Sequence, residues 1–187
     1  MSNLPSKPAP LTLLEVFKSN PERARWLLEY HELVMRGPSP LTVAERELIF
    51  AYGSGVNECG YCHGAHKFTA AAFGIPEGLF VDLLADVDGA EVDPKMKPIL
   101  KFVRKLIETP ARITKADADA IYAAGWDERA FLDVVTITAL HNYMNRLVDG
   151  CGVAAGEDIL REAAGRLSTI SYGGTAKRLF GGDAAAD

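Results

Sequence analysis

Residues 59–63 read Cys-Gly-Tyr-Cys-His, and a further histidine stands at position 66. Two cysteines three apart on a helix are neighbours on one face, close enough to form a disulfide with little backbone change. Cys62 and His66 are four apart and share a stripe of that helix, as do Cys59 and His63. The first turn of a helix carries unpaired N–H groups and positive potential, which stabilise a thiolate, the reactive form of cysteine. Glu47 precedes Cys59 by twelve residues, on what reads as the previous helix. If the two helices pack antiparallel across a short turn, the Glu47 carboxylate can reach back to the dithiol or orient His66. Carboxylate, imidazole and thiol would then form a proton relay. The expected site is therefore Cys59, Cys62, His66 and Glu47, doing thiol redox chemistry with no metal and no cofactor.

The same residues admit other chemistry. Taken literally, Cys-x-x-Cys-His is the attachment signature of a c-type haem. Such a haem needs export from the cytosol and an axial ligand, for which Met1, Met35, Met96 and Met144 give no clear candidate. Zinc could take Cys59, Cys62 and His66, with His63, Glu47 or a distant residue as fourth ligand. The sequence has no second Cys-x-x-Cys, and one short helix offers poor tetrahedral convergence.

Helices must position these groups, and the sequence reads as helix almost throughout, with no sustained period-two alternation of β-branched residues. The expected fold class is all-α, in one domain over residues 1–187. Residues 1–10, rich in Pro and Ser, read as an extended arm. Asn20 caps a helix over Pro21–Met35 with proline at its first position. Thr42 and Glu45 form a capping box for ERELIFAYGSGV, whose apolar face holds Leu48, Ala51 and Tyr52. The Cys-x-x-Cys helix is expected to start at Asn57 or Glu58 and to close at Gly74. Pro76 opens a short helix, residues 87–94 form a loop, and KMKPILKFVRKLIE runs to Pro110. Thr114 with Asp117 caps the next helix, and Asp127 caps a long one closed by Gly150. Residues 156–166 read as helical. The tail from Ser168 carries four glycines. Its residues 181–187 read as disordered, and SYGGTAKRLFGG could serve as an exchange arm between subunits.

Outside the motif, His63 reads as a surface neighbour, and His31 and His141 as satisfied helical histidines. Cys151 reads as a buried, inert thiol. Asn142 and Asn145 are expected to hydrogen-bond a neighbouring loop or to line an oligomer contact. The net charge of −5 argues against a nucleic-acid partner, and the basic side of KPILKFVRKLIE reads as a solvated face. No apolar run approaches the length of a membrane span. The N-terminal MSNLPSKPAPLTLLEVF lacks a charged segment followed by a long apolar one, so the expected location is the cytoplasm. Reduced thiols are the rule there, and a close cysteine pair points to catalysis, redox sensing or metal binding rather than to a structural staple.

The spacing E-x(11)-C-x-x-C-x-x-x-H, realised as Glu47, Cys59, Cys62 and His66, resembles the active-site motif of the alkylhydroperoxidase D-like family, within the carboxymuconolactone decarboxylase superfamily. The stretch HNYMNRLVDGCGV resembles a segment of that family's peroxidase-related branch, with an N-x-x-N-R-x-x-D pattern. The matching parts span roughly residues 40–155. The resemblance implies a helical-bundle protomer that assembles into trimers or hexamers. It also implies a peroxidase that reduces hydroperoxides and is regenerated by an external dithiol protein. In the family's mechanism the second cysteine, here Cys62, attacks the peroxide and becomes a sulfenic acid, and the first, here Cys59, resolves it to a disulfide. Glu47 and His66 match the family's proton relay. The best-known member has another histidine between the cysteines; here that position is Tyr61, whose hydroxyl can hydrogen-bond but is a poor base near neutral pH. Two further readings stand beside this one: a redox-sensing or disulfide-exchange subunit without peroxidase turnover, and a lactone decarboxylase, whose chemistry does not require a dithiol.

Overall fold

The computed structural model describes residues 2–7 and 9–181. Among these, ten α-helices and one short 3-10 turn at Pro110–Arg112 make up the regular structure, with no strand. The all-α expectation holds. Of the tail expected to be disordered, residues 182–187 lie outside the described residues.

The helices that frame the cysteine motif start where local signals say they should. In α2 (Pro21–Arg36) the Asn20 side chain accepts from the Arg23 N–H, and Pro21 sits at the first position. In α3 (Val43–Val56) the Thr42 hydroxyl accepts from Glu45 N–H while the Glu45 carboxylate accepts from Thr42 N–H at 2.7 Å, closing the capping box. Such a cap is worth about 1 kcal/mol. Every residue of α3 from Arg46 to Ser54 is buried. A helix buried all round belongs at the centre, and α3 packs against α4 (Gly60–Ala72), α5 (Leu79–Ala85), α6 (Met96–Glu108) and α8 (Glu128–Cys151). Its apolar face is thus wider than Leu48, Ala51 and Tyr52 alone.

The remaining helices wrap this centre. One side of α6 buries Met96, Ile99, Leu100, Phe102 and Val103, and its basic side faces outward, with Lys101 on Asp88 and Lys105 on Asp117. The latter carboxylate also caps α7 (Lys115–Ala123). Helix α9 (Glu157–Thr169) lies against α4. A Cβ at Gly64 would come within 2.6 Å of Leu160 Cδ1, so a side chain there would displace the Leu160 methyl.

Several boundaries differ from the sequence reading. Helix α4 begins at Gly60 rather than at Asn57 or Glu58, because Glu58 takes φ 57° and turns the chain before the helix can form. The short helix after Pro76 begins at Leu79, three residues late, after a turn closed by the Leu79 N–H on the Pro76 carbonyl. The long helix runs through Gly150 and ends on Gly152, which adopts the left-handed conformation at φ 76°. Ahead of α2 lies an unanticipated α1 (Leu13–Ser19), capped by Thr12. The arm before it contains no helix among its described residues, and Asn3 ties it to the end of α8 through the Cys151 and Gly150 carbonyls. The tail folds back as α10 (Ser171–Phe180) and packs on α2 of its own chain, so within the protomer SYGGTAKRLF is a packed helix and not a free arm.

Candidate active site

Cys59 occupies the N-cap of α4, and Cys62 the third position of its first turn. The turn that delivers them is held by the Asn57 N–H on Gly53, the Glu58 N–H on Gly55 and the Cys59 N–H on Ser54. It brings α4 back along α3, which is the antiparallel packing that the relay needs. His66, one turn beyond Cys62, then meets Glu47: Nδ1 lies 2.7 Å from Glu47 Oε2. The four residues singled out by spacing therefore come together on two adjacent helices.

Glu47 is fully buried and would be untenable as a lone charge. Three groups hold it. Besides His66, Arg36 Nη1 lies 2.7 Å from Oε1, and the Tyr172 hydroxyl donates to Oε1 at 3.3 Å. Burial pushes the carboxyl up, but His66 and Arg36 outweigh it and leave the acid below its ordinary range. Tyr172 moves the other way: burial and the Glu47 charge raise its phenol well above normal, so it stays a donor. With Nδ1–H donated to the carboxylate, the free nitrogen of His66 is Nε2. Phe50 stacks on the ring at 3.6 Å between centroids and fixes its plane.

The two thiols differ. Cys59 is wholly buried, and its thiol is pushed up, first by the adjacent Cys62 thiol and then by burial. Behind it Asn57 donates to Asn142 and Asn145, and Asn145 donates to Ser54. Asn142 and Asn145 thus hydrogen-bond the α3–α4 turn, one of the two uses expected of them. Cys62 and His66 instead line a cavity of about 660 Å³ between α1, α2, α4, α9 and α10, mostly apolar, with Tyr61, His31 and Tyr172 also on its wall. Burial and the nearby Cys62 push the Tyr61 phenol up to about 12, so it offers no base at neutral pH.

Sequence reasoning missed Arg36, Tyr172, Phe50 and the placement of His31 beside them. Tyr172 had a signal: Tyr172, Ala176 and Leu179 follow a helical apolar period across the glycines. Arg36 had none beyond ending a helix. Three minor expectations need correction. His63 is half-buried, its Nδ1 on the Ala51 carbonyl at 2.9 Å and its ring edge-on to Phe80, so it helps pack α4 on α3 rather than facing solvent. Cys151 is only partly buried, because α8 continues through it to an exposed end. His31 is satisfied by the Leu27 carbonyl, but His141 is not: Asn145 lies beside it with its amide already used on Ser54 and Asn57, and neither ring nitrogen has a partner. Among the described residues no three His, Cys, Asp or Glu side chains converge on a point that could hold a metal ion. No helix among them is long and apolar enough to cross a membrane.

No known family model matches the chain, and no curated protein matches it by sequence. Its fold does match solved structures. An uncharacterized peroxidase-related protein from Silicibacter sp. TM1040 superposes with a TM-score of 0.72 at 25% identity, covering 78% of this chain and 76% of that one. A second uncharacterized peroxidase-related protein, from Ralstonia eutropha JMP134 and described as an alkylhydroperoxidase AhpD core, gives 0.72 at 23% identity with the same coverage. Its all-helical fold is thus that of the alkylhydroperoxidase D-like, peroxidase-related proteins.

Proposed function

We propose that the chain is a thiol-dependent peroxidase in which Cys62 attacks a hydroperoxide and Cys59 resolves the product. The observation that supports it is an asymmetry. The Glu47–His66 pair stands one turn beyond Cys62, which opens on the cavity, while Cys59 is sealed from solvent.

His66 Nε2 takes the Cys62 proton, and Glu47 stabilises the imidazolium. The thiolate attacks the terminal oxygen of R–O–OH; the S–O bond forms and the O–O bond breaks. The departing alkoxide takes the proton back from His66 and leaves as the alcohol. Cys59 then attacks the sulfenic sulfur of Cys62; the S–S bond forms, the S–O bond breaks, and hydroxide leaves as water with the Cys59 proton. An external dithiol supplies two electrons and two protons to reopen the disulfide. Tyr61 takes no proton in this scheme.

The test counts free thiols on reduced protein before and after one equivalent of an organic hydroperoxide. Two of the three thiols should disappear rapidly in the wild type, and Cys62→Ser should abolish the loss. Oxidation no faster than in unfolded chain would end the peroxidase reading. Repeated peroxide consumption with a dithiol present distinguishes an enzyme from a subunit that oxidises once.

A further inference from the structure

We propose that the cavity over Cys62 and His66 binds an amphipathic carboxylic acid, so that the hydroperoxide reduced here is a fatty-acyl one with its –OOH well removed from its carboxylate. The reacting group rests on the peroxidase reading; the chain and head group rest on the cavity alone.

About 660 Å³ lies within the range of pockets built for organic ligands, roughly 300–1,000 Å³, and far exceeds what hydrogen peroxide needs. The wall is polarised along its depth. At the inner end stand Cys62 and His66, 4% and 7% exposed. The sides are apolar, with Phe17, Leu28 and Leu167 facing in. At the solvent end stand two exposed guanidiniums, Arg166 of α9 and Arg178 of α10. The one carboxylate on the lining, Glu162, is paired with Arg166, so two cations against one anion leave the rim positive. A guanidinium matches a carboxylate fork to fork. A small polar peroxide would gain nothing from the apolar walls, and a neutral hydrocarbon peroxide nothing from the arginines. A chain with its acid at the rim and its peroxide at the sulfur uses both.

The test titrates reduced wild-type protein calorimetrically with octanoic, decanoic and dodecanoic acid and with dodecanol. Affinity should rise about fourfold per methylene until the cavity is full. Dodecanoic acid should bind more tightly than dodecanol. Arg178→Gln should weaken the acid two- to fivefold without touching the alcohol, and the double variant with Arg166→Gln about tenfold. Both arginines are exposed, so the variants should fold normally. Absence of saturable binding, indifference to chain length, or equal affinity for acid and alcohol in the wild type would overturn the proposal. The thiol-loss assay is then run with a fatty-acid hydroperoxide and its methyl ester. The acid should react faster in the wild type, and the double variant should erase the difference. Tight acid binding with no thiol loss for either peroxide would sink the peroxidase reading and leave the acid-binding site standing.

Discussion

Cys59 and Cys62 have the same side chain and stand three residues apart, yet their surroundings differ in each respect that sets thiol chemistry. Cys62 opens on a cavity, with an imidazole one turn away that is itself oriented by a buried carboxylate. Cys59 touches no solvent, and its N–H is tied to the Ser54 carbonyl beside the polar network of Asn57, Asn145 and Ser54. A thiol reacts as the thiolate and only where a substrate can arrive. The proposed division of labour follows from position: access and a base on one side, burial on the other. The largest effect should come from breaking the pair. In Cys59→Ser, one equivalent of hydroperoxide should leave a sulfenic acid at Cys62 that dimedone traps, and peptide mass mapping locates the adduct. Cys62→Ser should yield no adduct. An adduct on Cys59 instead would reverse the two roles.

Next in size is the relay on the Cys62 side. Glu47→Gln leaves Arg36 without its buried counter-charge and removes the fixed acceptor for His66 Nδ1. Breaking a buried ion pair from one side costs about 3–5 kcal/mol, to be measured as the shift in urea unfolding midpoint. Removing a positioned acid–base pair slows its step by roughly 10²-fold or more, so thiol loss at pH 7 should slow by that order in the fraction that remains folded. Unchanged kinetics would detach Glu47 from the chemistry and leave it a structural charge.

The elements that carry these groups were legible wherever a local signal sets them. Asn20 with Pro21, Thr42 with Glu45, and Asp127 each mark a helix start, because capping is decided within four residues of chain. Thr12 and Glu15 gave a similar start signal for α1, which is short enough at seven residues to escape a periodicity reading. The Glu47–His66 contact was legible because a turn between two adjacent helices leaves few ways to pack them. Arg36 and Tyr172 were not, since the latter reaches Glu47 across 125 residues and no rule of spacing spans that distance. The start of α4 was missed for another reason. Glu58 in the left-handed region is a choice that non-glycine residues seldom make, and it moves Cys59 from inside the helix to its cap.

A second contrast sharpens the first. His66 and His141 both pack on Phe50, one with a carboxylate partner and one with neither nitrogen bonded. Gly53 makes room for the His141 ring, since a Cβ there would lie 2.2 Å from Nε2. Burial lowers His141 to about 3 and His31 to about 4, against 6.5 when unfolded. Both are neutral in the folded chain, so unfolding takes up protons below about pH 6.5. The stability they share is intact above that value and is lost as pH falls toward 4 and then 3. Urea unfolding at pH 7 and pH 5 should show a lower midpoint at pH 5, and His141→Leu should shrink the difference. A variant as acid-sensitive as the wild type would mean that His141 finds a partner in solution.

The smallest effect expected concerns the tail. Tyr172 links α10 to the relay through a 3.3 Å bond to a carboxylate oxygen that Arg36 already satisfies. Tyr172→Phe keeps the ring that packs beside His31 and His66 and removes the hydroxyl alone. Because Oε1 retains its charged partner, no buried acceptor is orphaned, and the loss should be that of one ordinary hydrogen bond, about 1 kcal/mol. For a chain of this size that lowers Tm by about 2–4 °C. Since Tyr172 raises no barrier between Cys62 and His66, the rate of thiol loss should fall by less than the substitution at Glu47 produces. A loss approaching that of Glu47→Gln would mean that the phenol positions the carboxylate, and that the last helix belongs to the relay rather than to the wall of the cavity.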